Sequence, residues 1–302
     1  MKLSIITPTY NRADMLGNLY KSIVKNLEFC QEYKKNIQVQ WLIVDDGSND
    51  NTKEVVSQYI NESKLEIQYY KQENQGKMAA INHAIPYVNG ELIVECDSDD
   101  VFSDNAFLDI LQAYGETKER KDLYGLCFLK YDLKGNNIGN RFQKEETTMF
   151  DLYFKEQETG EKAIVFFTDI RKQYTYKIEN HEKFSTEARM YHEMDLKYKI
   201  KCMNKPIMLC DYKEDGYTKN IRKIFKENPY GHLSYFKEIL EEHDMTGVPF
   251  QKRLYVIKHY ILFSYLTKQY GIGNIKGMKN KIIYILLFIP GMIKSYYFKN
   301  KK

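Results

Sequence analysis

The chain has little cysteine and no paired thiol motif. Its five cysteines (Cys30, Cys96, Cys127, Cys202 and Cys210) are odd in number and include no Cys-x-x-Cys. That spacing excludes a disulfide framework and a thiolate zinc site, and it predicts a reducing compartment. A glycine-rich phosphate cradle is also missing: neither G-x-x-x-x-G-K-[ST] nor G-x-G-x-x-G follows the first apolar run. A nucleotide would therefore be held by a metal and by carboxylate contacts to ribose and base. Met1-Lys2 leads straight into an apolar run of five residues, which predicts no secretory leader. Trp41 is the single tryptophan, so the 14% aromatic content is almost all Tyr and Phe.

Acid is missing from one whole region. Between Met245 and Lys302 there is no Asp or Glu beside eleven basic residues, so a chain of net charge +4 carries −7 in the remainder. Such splitting predicts that the tail meets an anionic surface and the body does not. The basic residues are interleaved with Ile, Leu and Phe, which suits lipid and argues against a nucleic acid. Ile282–Phe298, broken by Pro290-Gly291 and Lys294, reads as too short and too interrupted to cross a bilayer core of about 30 Å as a clean helix. Lys276, Lys279, Lys281, Lys299, Lys301 and Lys302, with Tyr284, Tyr296, Tyr297 and Phe298 at the edges, predict an interfacial anchor on an anionic leaflet. A helix packed on the globular body is the alternative.

What remains is ordinary for a folded body: 302 residues, 43% hydrophobic and 28% charged. Leu3–Thr7 reads as a buried strand ending at Pro8, and Asn11 as the cap of a helix with Leu16, Leu19, Ile23, Val24 and Leu27 on one face. Val39–Val44 is a second strand, followed by a helix from Ser48, Asn49 or Asp50 through Ile60. Leu65–Tyr70 is a third, and after Gly76 a helix bears Ala79, Ala80, Ile81, Ala84, Ile85 and Val88. Leu92–Val94 is the fourth strand. This alternation predicts right-handed βαβ crossovers and an α/β fold with a mostly parallel sheet flanked by helices.

Two of these strands end in acid, Asp45-Asp46 and Asp97-Ser98-Asp99-Asp100. In an open α/β sheet the carboxyl edge is where ligands bind. Carboxylates so close repel one another and titrate upward unless a cation neutralises them, and hard divalent ions take such oxygens together with substrate phosphates. Read alone, each cluster also fits a bland role: an Asp-Gly-Ser turn, or an acidic helix start with Asp104 as cap.

Leu3–Arg12 (LSIITPTYNR), Val44–Thr52 (VDDGSNDNT), Asn74–Ala84 (NQGKMAAINHA) and Gly90–Phe102 resemble, in order and spacing, the four successive motifs of family 2 glycosyltransferases with the GT-A fold. The resemblance implies transfer of a sugar from a nucleotide diphosphate donor, usually with inversion, assisted by Mn²⁺ or Mg²⁺. It places Thr7, Pro8, Thr9 and Tyr10 along the base and ribose pocket, Asp45 or Asp46 on the base, and Lys77 near the diphosphate. Asn82 matches the donor-side Asn of the third motif, although Ile81 stands where a basic residue is common. In the Asp97-x-Asp99 motif, Asp97 with Ser98 beside it would approach the ribose or a metal-bound water, and Asp99 would ligate the metal.

An inverting transfer also needs a base for the acceptor hydroxyl. The resemblance points to Glu179–Tyr191, where Glu187 at the start of a helix capped by Ser185 is the first choice and Glu182 the second. One acid of the family's Glu-Asp pair is absent there, and a first-turn Glu is also favoured by the helix dipole alone. His181 and His192 lack any orienting partner in the sequence pattern. The expected layout is a catalytic domain over 1–220, with a nucleotide-sugar half (1–115) and an acceptor half (116–220). A helical region over 221–302 follows, carrying the basic tail 276–302. Cys202–Tyr212 and Asp215–Thr218 resemble the segment that closes over the donor. The expected partners are a nucleotide diphosphate sugar of the UDP kind, a glycan or lipid-linked acceptor, and an anionic membrane surface on the cytoplasmic side. A non-catalytic nucleotide-sugar-binding protein and a sugar nucleotidyltransferase are the alternatives.

Overall fold

The computed structural model describes residues 1–210, 221–273 and 275–300. The expected alternation opens the chain: β1 (Lys2–Thr9), α1 (Ala13–Glu32), β2 (Gln38–Asp45), α2 (Thr52–Glu62), β3 (Glu66–Lys71), α3 (Lys77–Ala84) and β4 (Leu92–Glu95). These four strands run parallel in the order β3-β2-β1-β4. Side chains of successive strand residues point to opposite faces, and both faces are covered. Leu3, Ile5, Trp41, Ile43 and Val94 pack with Leu16, Ile23 and Phe107 on one side, and Ile6, Leu42, Val44 and Ile93 pack with Ala80, Ile81 and Met190 on the other. That is why the strands read as unbroken apolar runs.

The second half adds β5 (Val101–Phe102), α4 (Ala106–Thr117), β6 (Leu123–Asp132), β7 (Glu146–Thr147), α5 (Met149–Phe154), β8 (Lys162–Phe167), α6 (Thr168–Arg171), α7 (Ala188–Asp195) and β9 (Lys199–Cys210). It extends the sheet as β4-β8-β6-β9-β5, with β8 antiparallel to both neighbours and β7 paired to β9. The whole is an α/β fold of GT-A type, mostly parallel in its first half.

Several local expectations are corrected. Pro8 does not end β1; it lies inside the strand, opposite Val44 of β2. The Thr9 carbonyl accepts from Asp46 on the β2 side and the Ile6 carbonyl from Cys96 on the β4 side. Pro8 shares Ile6's parity, so its nitrogen turns toward β4, which pairs only with Leu3–Ile6; no ladder bond is lost there. Asn11 does not cap α1: it takes a positive φ of 51° and its Oδ1 accepts from the Asn49 backbone. Asp104 does not cap α4 but pairs with Lys25. Ser185 does not cap α7, which begins at Ala188.

Four helices complete the chain: α8 (Ile221–Glu227), α9 (Pro229–Glu242), α10 (Phe250–Thr267) and α11 (Met278–Asn300). They share a core with Phe150 and Phe154 of α5. The tail is corrected as well. α11 is a continuous 23-residue helix running through Pro290, about 35 Å long at 1.5 Å per residue. By length and composition it could cross a membrane. One face, with Tyr284, Leu287 and Phe288, packs into the helical core. Gly291 lies against Ile261 so closely that a Cβ there would stand 2.8 Å from Cγ2. The opposite face, Ile282, Ile285, Leu286, Ile289 and Ile293, is exposed. Both arrangements weighed from the sequence, body packing and an outward apolar face, occur on the same helix.

Candidate active site

Because β2, β1 and β4 are parallel neighbours, both acid clusters arise at one edge of the sheet. Asp45 lies opposite Thr9 in the register, and Cys96, beside Asp97, bonds back to Ile6. The acids there are answered by cations. Arg12, just after β1, pairs with Asp99. Lys130 at the end of β6 pairs with Asp100 at 2.9 Å. Lys77, the first residue of α3, reaches Asp97 at 2.7 Å and Glu187 at 2.7 Å.

Lys77 is the meeting point of the two halves. Burial works against its charge, but Asp97 and Glu187 outweigh burial and hold the ammonium well above its usual range. Burial likewise opposes the Asp97 charge, yet Lys77, Lys130 and Arg12 keep its carboxyl below the ordinary carboxylate value. For Asp100, burial wins and the neighbouring Asp97 adds to it, so that carboxyl is pushed up. The three carboxylates at the β4 tip thus differ in character: Asp97 stays charged, Asp99 is tied to arginine, and Asp100 is the most buried.

The expected base-pocket residues divide. Thr7 is buried with its hydroxyl accepting from Trp41 Nε1 at 2.9 Å, a core contact. Pro8 is buried beside it. Thr9 carries a buried hydroxyl with no partner, and Tyr10 is exposed. Asp45 is buried and accepts from the Ser48 backbone at 2.6 Å and the Tyr69 hydroxyl at 2.5 Å. Asp46 accepts from the backbones of Gln75 and Gly76 and from Gln72 Nε2, at 2.7 to 2.8 Å. Both carboxylates already serve the chain's own donors, so any base contact would be shared with those bonds.

Asn82 departs from its donor-side expectation. Its amide clamps the Tyr176 backbone, Nδ2 donating to the carbonyl at 2.8 Å and Oδ1 accepting from the N–H at 2.9 Å. Ser98 is buried among the acids. Gly76 brings the two halves together: at φ 93° a Cβ would stand 1.8 Å from the Lys183 carbonyl, so only glycine lets the Lys183 turn lie on the start of α3. Lys183 also donates to Asn74 Oδ1 at 2.7 Å.

Of the two base candidates, Glu187 faces the acids and Glu182 does not. Glu187 precedes α7, its side chain is 37% exposed, and its free oxygen edge is approached by Tyr191 Oη at 3.4 Å. The Glu182 carboxylate is spent on the start of α9, accepting from the Tyr230 and Gly231 backbones at 2.7 Å each; burial pushes its carboxyl up. It is a helix cap. His181 sits on a turn at φ 59°. His192 is buried among Phe150, Phe154, Tyr235 and His243, and burial holds it well below its usual value. Asp215–Thr218 lies outside the described residues. Among the described residues no group of three His, Cys, Asp or Glu side chains could by itself hold a metal. Asp97 and Asp99 are hard oxygen donors that fit Mn²⁺ or Mg²⁺ only with substrate phosphates completing the shell.

Sequence reasoning missed Arg12 and Lys130, which neutralise Asp99 and Asp100. Arg12 stood inside the first quoted motif, and its charge opposite so much acid was the available signal. Lys130 gave none beyond being the first lysine after an apolar strand.

A parallel sheet that gathers carboxylates and a lysine at its carboxyl edge, continued by mixed strands and a helical extension, defines a GT-A glycosyltransferase. The pattern described as glycosyl transferase family 2 matches residues 4–194, and the chain belongs to that family. It is 35% identical over 152 residues to an uncharacterized glycosyltransferase of Mycoplasma genitalium, covering 48% of each chain. It is 26% identical over 194 residues to the GalNAc(5)-diNAcBac-PP-undecaprenol beta-1,3-glucosyltransferase of Campylobacter jejuni, covering 63% of this chain and 58% of that one. The poly(ribitol-phosphate) beta-glucosyltransferase of Bacillus spizizenii is 25% identical over 255 residues, 81% of this chain and 38% of that one. The chain thus spans about half the length of the curated relatives it matches. Among solved structures, residues 1–349 of S. aureus TarS in complex with UDP-GlcNAc superpose with a TM-score of 0.60 at 17% identity, over 99% of this chain and 90% of that one. The Pyrobaculum calidifontis mannosyltransferase PcManGT with GDP-Man and Mn²⁺ gives 0.54 at 12% identity, over 98% and 84%. These likenesses establish the fold.

Proposed function

We propose that this glycosyltransferase moves a sugar from a nucleotide diphosphate donor, a UDP-sugar, to a hydroxyl of a glycan or lipid-linked glycan, with inversion and with a divalent cation. The observation that carries the reading is the position of Lys77, in contact with an acid of the donor edge and with an acid of the acceptor half at once. An inverting displacement needs those two features on either side of the sugar: positive charge where the diphosphate departs and a base where the acceptor attacks. Glu187 takes the proton of the attacking hydroxyl, while Lys77 turns to the diphosphate as a point charge. Asp97 and Asp99 would hold the cation together with the donor's phosphates, and it would supply further positive charge to the leaving group. Thr9 and Tyr10, beside Asp45 and Asp46, receive base and ribose; the partnerless Thr9 hydroxyl suits a ligand acceptor there. A cavity of about 300 Å³ lined by Asn180–Lys183 and Glu227–Tyr230 is a candidate site for part of the acceptor.

In this reading residues 1–220 are the catalytic unit, and 221–302 set the enzyme on the cytoplasmic face of the membrane. The outward apolar face of α11 and the acid-free basic tail support that placement. A role in bacterial surface-polysaccharide assembly is in keeping with the named activities of the Campylobacter and Bacillus relatives. The test is a donor screen with Mn²⁺ across uridine, guanosine and thymidine diphosphate sugars, read by calorimetry and by donor turnover. The expected result is binding and turnover with a uridine donor, and absence of binding to every donor refutes the reading. Glu187→Gln should bind donor as the wild type does and lose transfer by about 10²–10⁴-fold; unchanged transfer moves the base elsewhere.

A further inference from the structure

Behind Glu187 lies a buried chain of hydroxyls that the reaction as described does not use. Lys77 holds Glu187 Oε1 at 2.7 Å, and Tyr191, one turn along α7, offers its hydroxyl to Oε2 at 3.4 Å. The Tyr191 and Tyr176 side chains are electrostatic neighbours behind Glu187. Tyr176 donates to Glu95 Oε2 at 2.5 Å, and the other oxygen of Glu95 accepts from Arg171 Nε at 2.9 Å and Nη2 at 2.8 Å. Arg171 is fully buried, its guanidinium over the rings of Phe166 and Tyr176, with Nη1 donating to the Tyr174 carbonyl. The Asn82 amide fixes the Tyr176 backbone from both sides. Glu95 closes β4, two residues before Asp97.

Proton counting limits what this chain of groups can do. Arg171 only donates and an ionised Glu95 only accepts, so the single proton of Tyr176 is committed to Glu95 and its oxygen is left as an acceptor. The Tyr191 hydroxyl therefore faces two acceptors, the Tyr176 oxygen and the Glu187 carboxylate. While Glu187 is ionised, the carboxylate is the stronger acceptor and takes the Tyr191 proton. Once Glu187 has received the proton of the acceptor hydroxyl, it has become a donor. Tyr191 then rotates its proton to Tyr176 and accepts from Glu187. No net proton leaves the pair.

We infer that Tyr191 is a positioning residue for the base, a hydroxyl that serves Glu187 both before and after proton transfer. Tyr176, Glu95 and Arg171 hold it in register with the strand that carries Asp97. The 3.4 Å separation is long for a hydrogen bond, as base contacts often are before substrate tightens them. The inference rests on Glu187 being the base, and the test separates the two claims.

The experiment uses the full chain with a uridine diphosphate sugar donor and compares wild type, Tyr191→Phe, Glu187→Asp and the double variant. Tyr191→Phe keeps the ring and removes only the hydroxyl. It should lower kcat about tenfold, with donor KM and calorimetric Kd unchanged and the melting temperature close to wild type. In the Glu187→Asp background, where the shorter acid has withdrawn from the tyrosine, the same change should cost nothing more. An equal loss in both backgrounds would show that Tyr191 acts independently of residue 187 and overturn the inference. So would a wild-type kcat for Tyr191→Phe when Glu187→Gln is inactive, which leaves the base assignment standing. Full transfer by Glu187→Gln sinks the base assignment and the inference with it. Tyr176→Phe, which frees Tyr191 from its backing, should show a smaller loss in the same direction; a wild-type rate there refutes the backing role.

Discussion

Replacing Lys77 by Met removes the one cation shared by Asp97 and Glu187, and the consequences can be sized before any substrate is added. A hydrogen bond to a charged group contributes about 1.5–3 kcal/mol when well shielded. Here the side chains of Asp97 and Glu187 are 38% and 37% exposed and that of Lys77 is 20% exposed. Solvent screening brings the two contacts together down to about 1–2 kcal/mol. At about 2.1 cal/mol/K of unfolding entropy per residue, that lowers the melting temperature by about 1.5–3 °C. The pH dependence has a definite sign. The folded Asp97 carboxyl is depressed below its usual value, so its contribution is complete above the unfolded value near 3.9 and is lost as pH falls through the folded one. The gap between wild type and Lys77→Met should therefore be full at pH 7, persist down to about 4, and close only as pH falls below that. Calorimetric donor binding at pH 7 should also weaken by about 10–100-fold, the loss of one charge-assisted contact to a phosphate. The assay is differential scanning calorimetry from about pH 2 to 8, paired with donor titrations at pH 7. Equal melting temperatures across that range, with unchanged donor affinity, would refute the placement of Lys77 at the centre of the site.

Two further outcomes follow from the same geometry. Asp99→Ala removes one partner of Arg12 and one hard oxygen from the edge, so donor binding should lose its dependence on Mn²⁺ while metal-independent binding persists; an intact Mn²⁺ dependence assigns the ligand to another residue. Leu286 and Ile289 are 71% and 70% exposed on α11, so changing both to Glu should leave folding intact while abolishing co-sedimentation with phosphatidylserine-containing vesicles. Wild-type co-sedimentation by that variant removes the membrane role of this face.

What could be read from the chain alone was whatever depends on short-range order. Apolar runs ending in acid become parallel strands whose tips share an edge, because every βαβ crossover returns the chain in the same direction, and so Asp45, Asp46, Asp97 and Asp99 were placed together from sequence. Which cation answers which acid depends on side chains 87 residues apart for Arg12 and Asp99, and 30 apart for Lys130 and Asp100; no local pattern carries that. The caps misread at Asn11, Asp104 and Ser185 failed for a related reason. Each is a good cap by type, but Asn49, Lys25 and the packing of the Lys183 turn offered those segments a different tertiary arrangement. Glu182 is the reverse case: an acid read as chemistry that the fold uses to satisfy two backbone N–H groups 48 and 49 residues away. Pro290 reads as a break, but α11 runs through it, with Gly291 beside it packed against Ile261.

The charge balance at the sheet edge suggests how the site accepts its donor. Among the described residues, Asp97, Asp99, Asp100 and Glu187 meet Arg12, Lys77 and Lys130, and Asp45 and Asp46 stand at the same edge, so acid exceeds base there. A diphosphate brings about two negative charges, and the divalent cation that accompanies it offsets them, so loading leaves the local total nearly unchanged. What changes is the pairing. In the proposed reading Lys77 and Arg12 would exchange carboxylates for phosphate oxygens, and Asp97 and Asp99 would exchange ammonium and guanidinium for the cation. Carboxylates, cation and phosphates become mutually dependent, since a diphosphate alone would be repelled by the acids and a cation alone would compete with two basic side chains already in place. Donor and metal should therefore bind with positive coupling, each raising the affinity of the other by the same factor. In that reading Lys77 would also leave Glu187 in the exchange, so the proposed base would give up its counter-charge only when the donor is present.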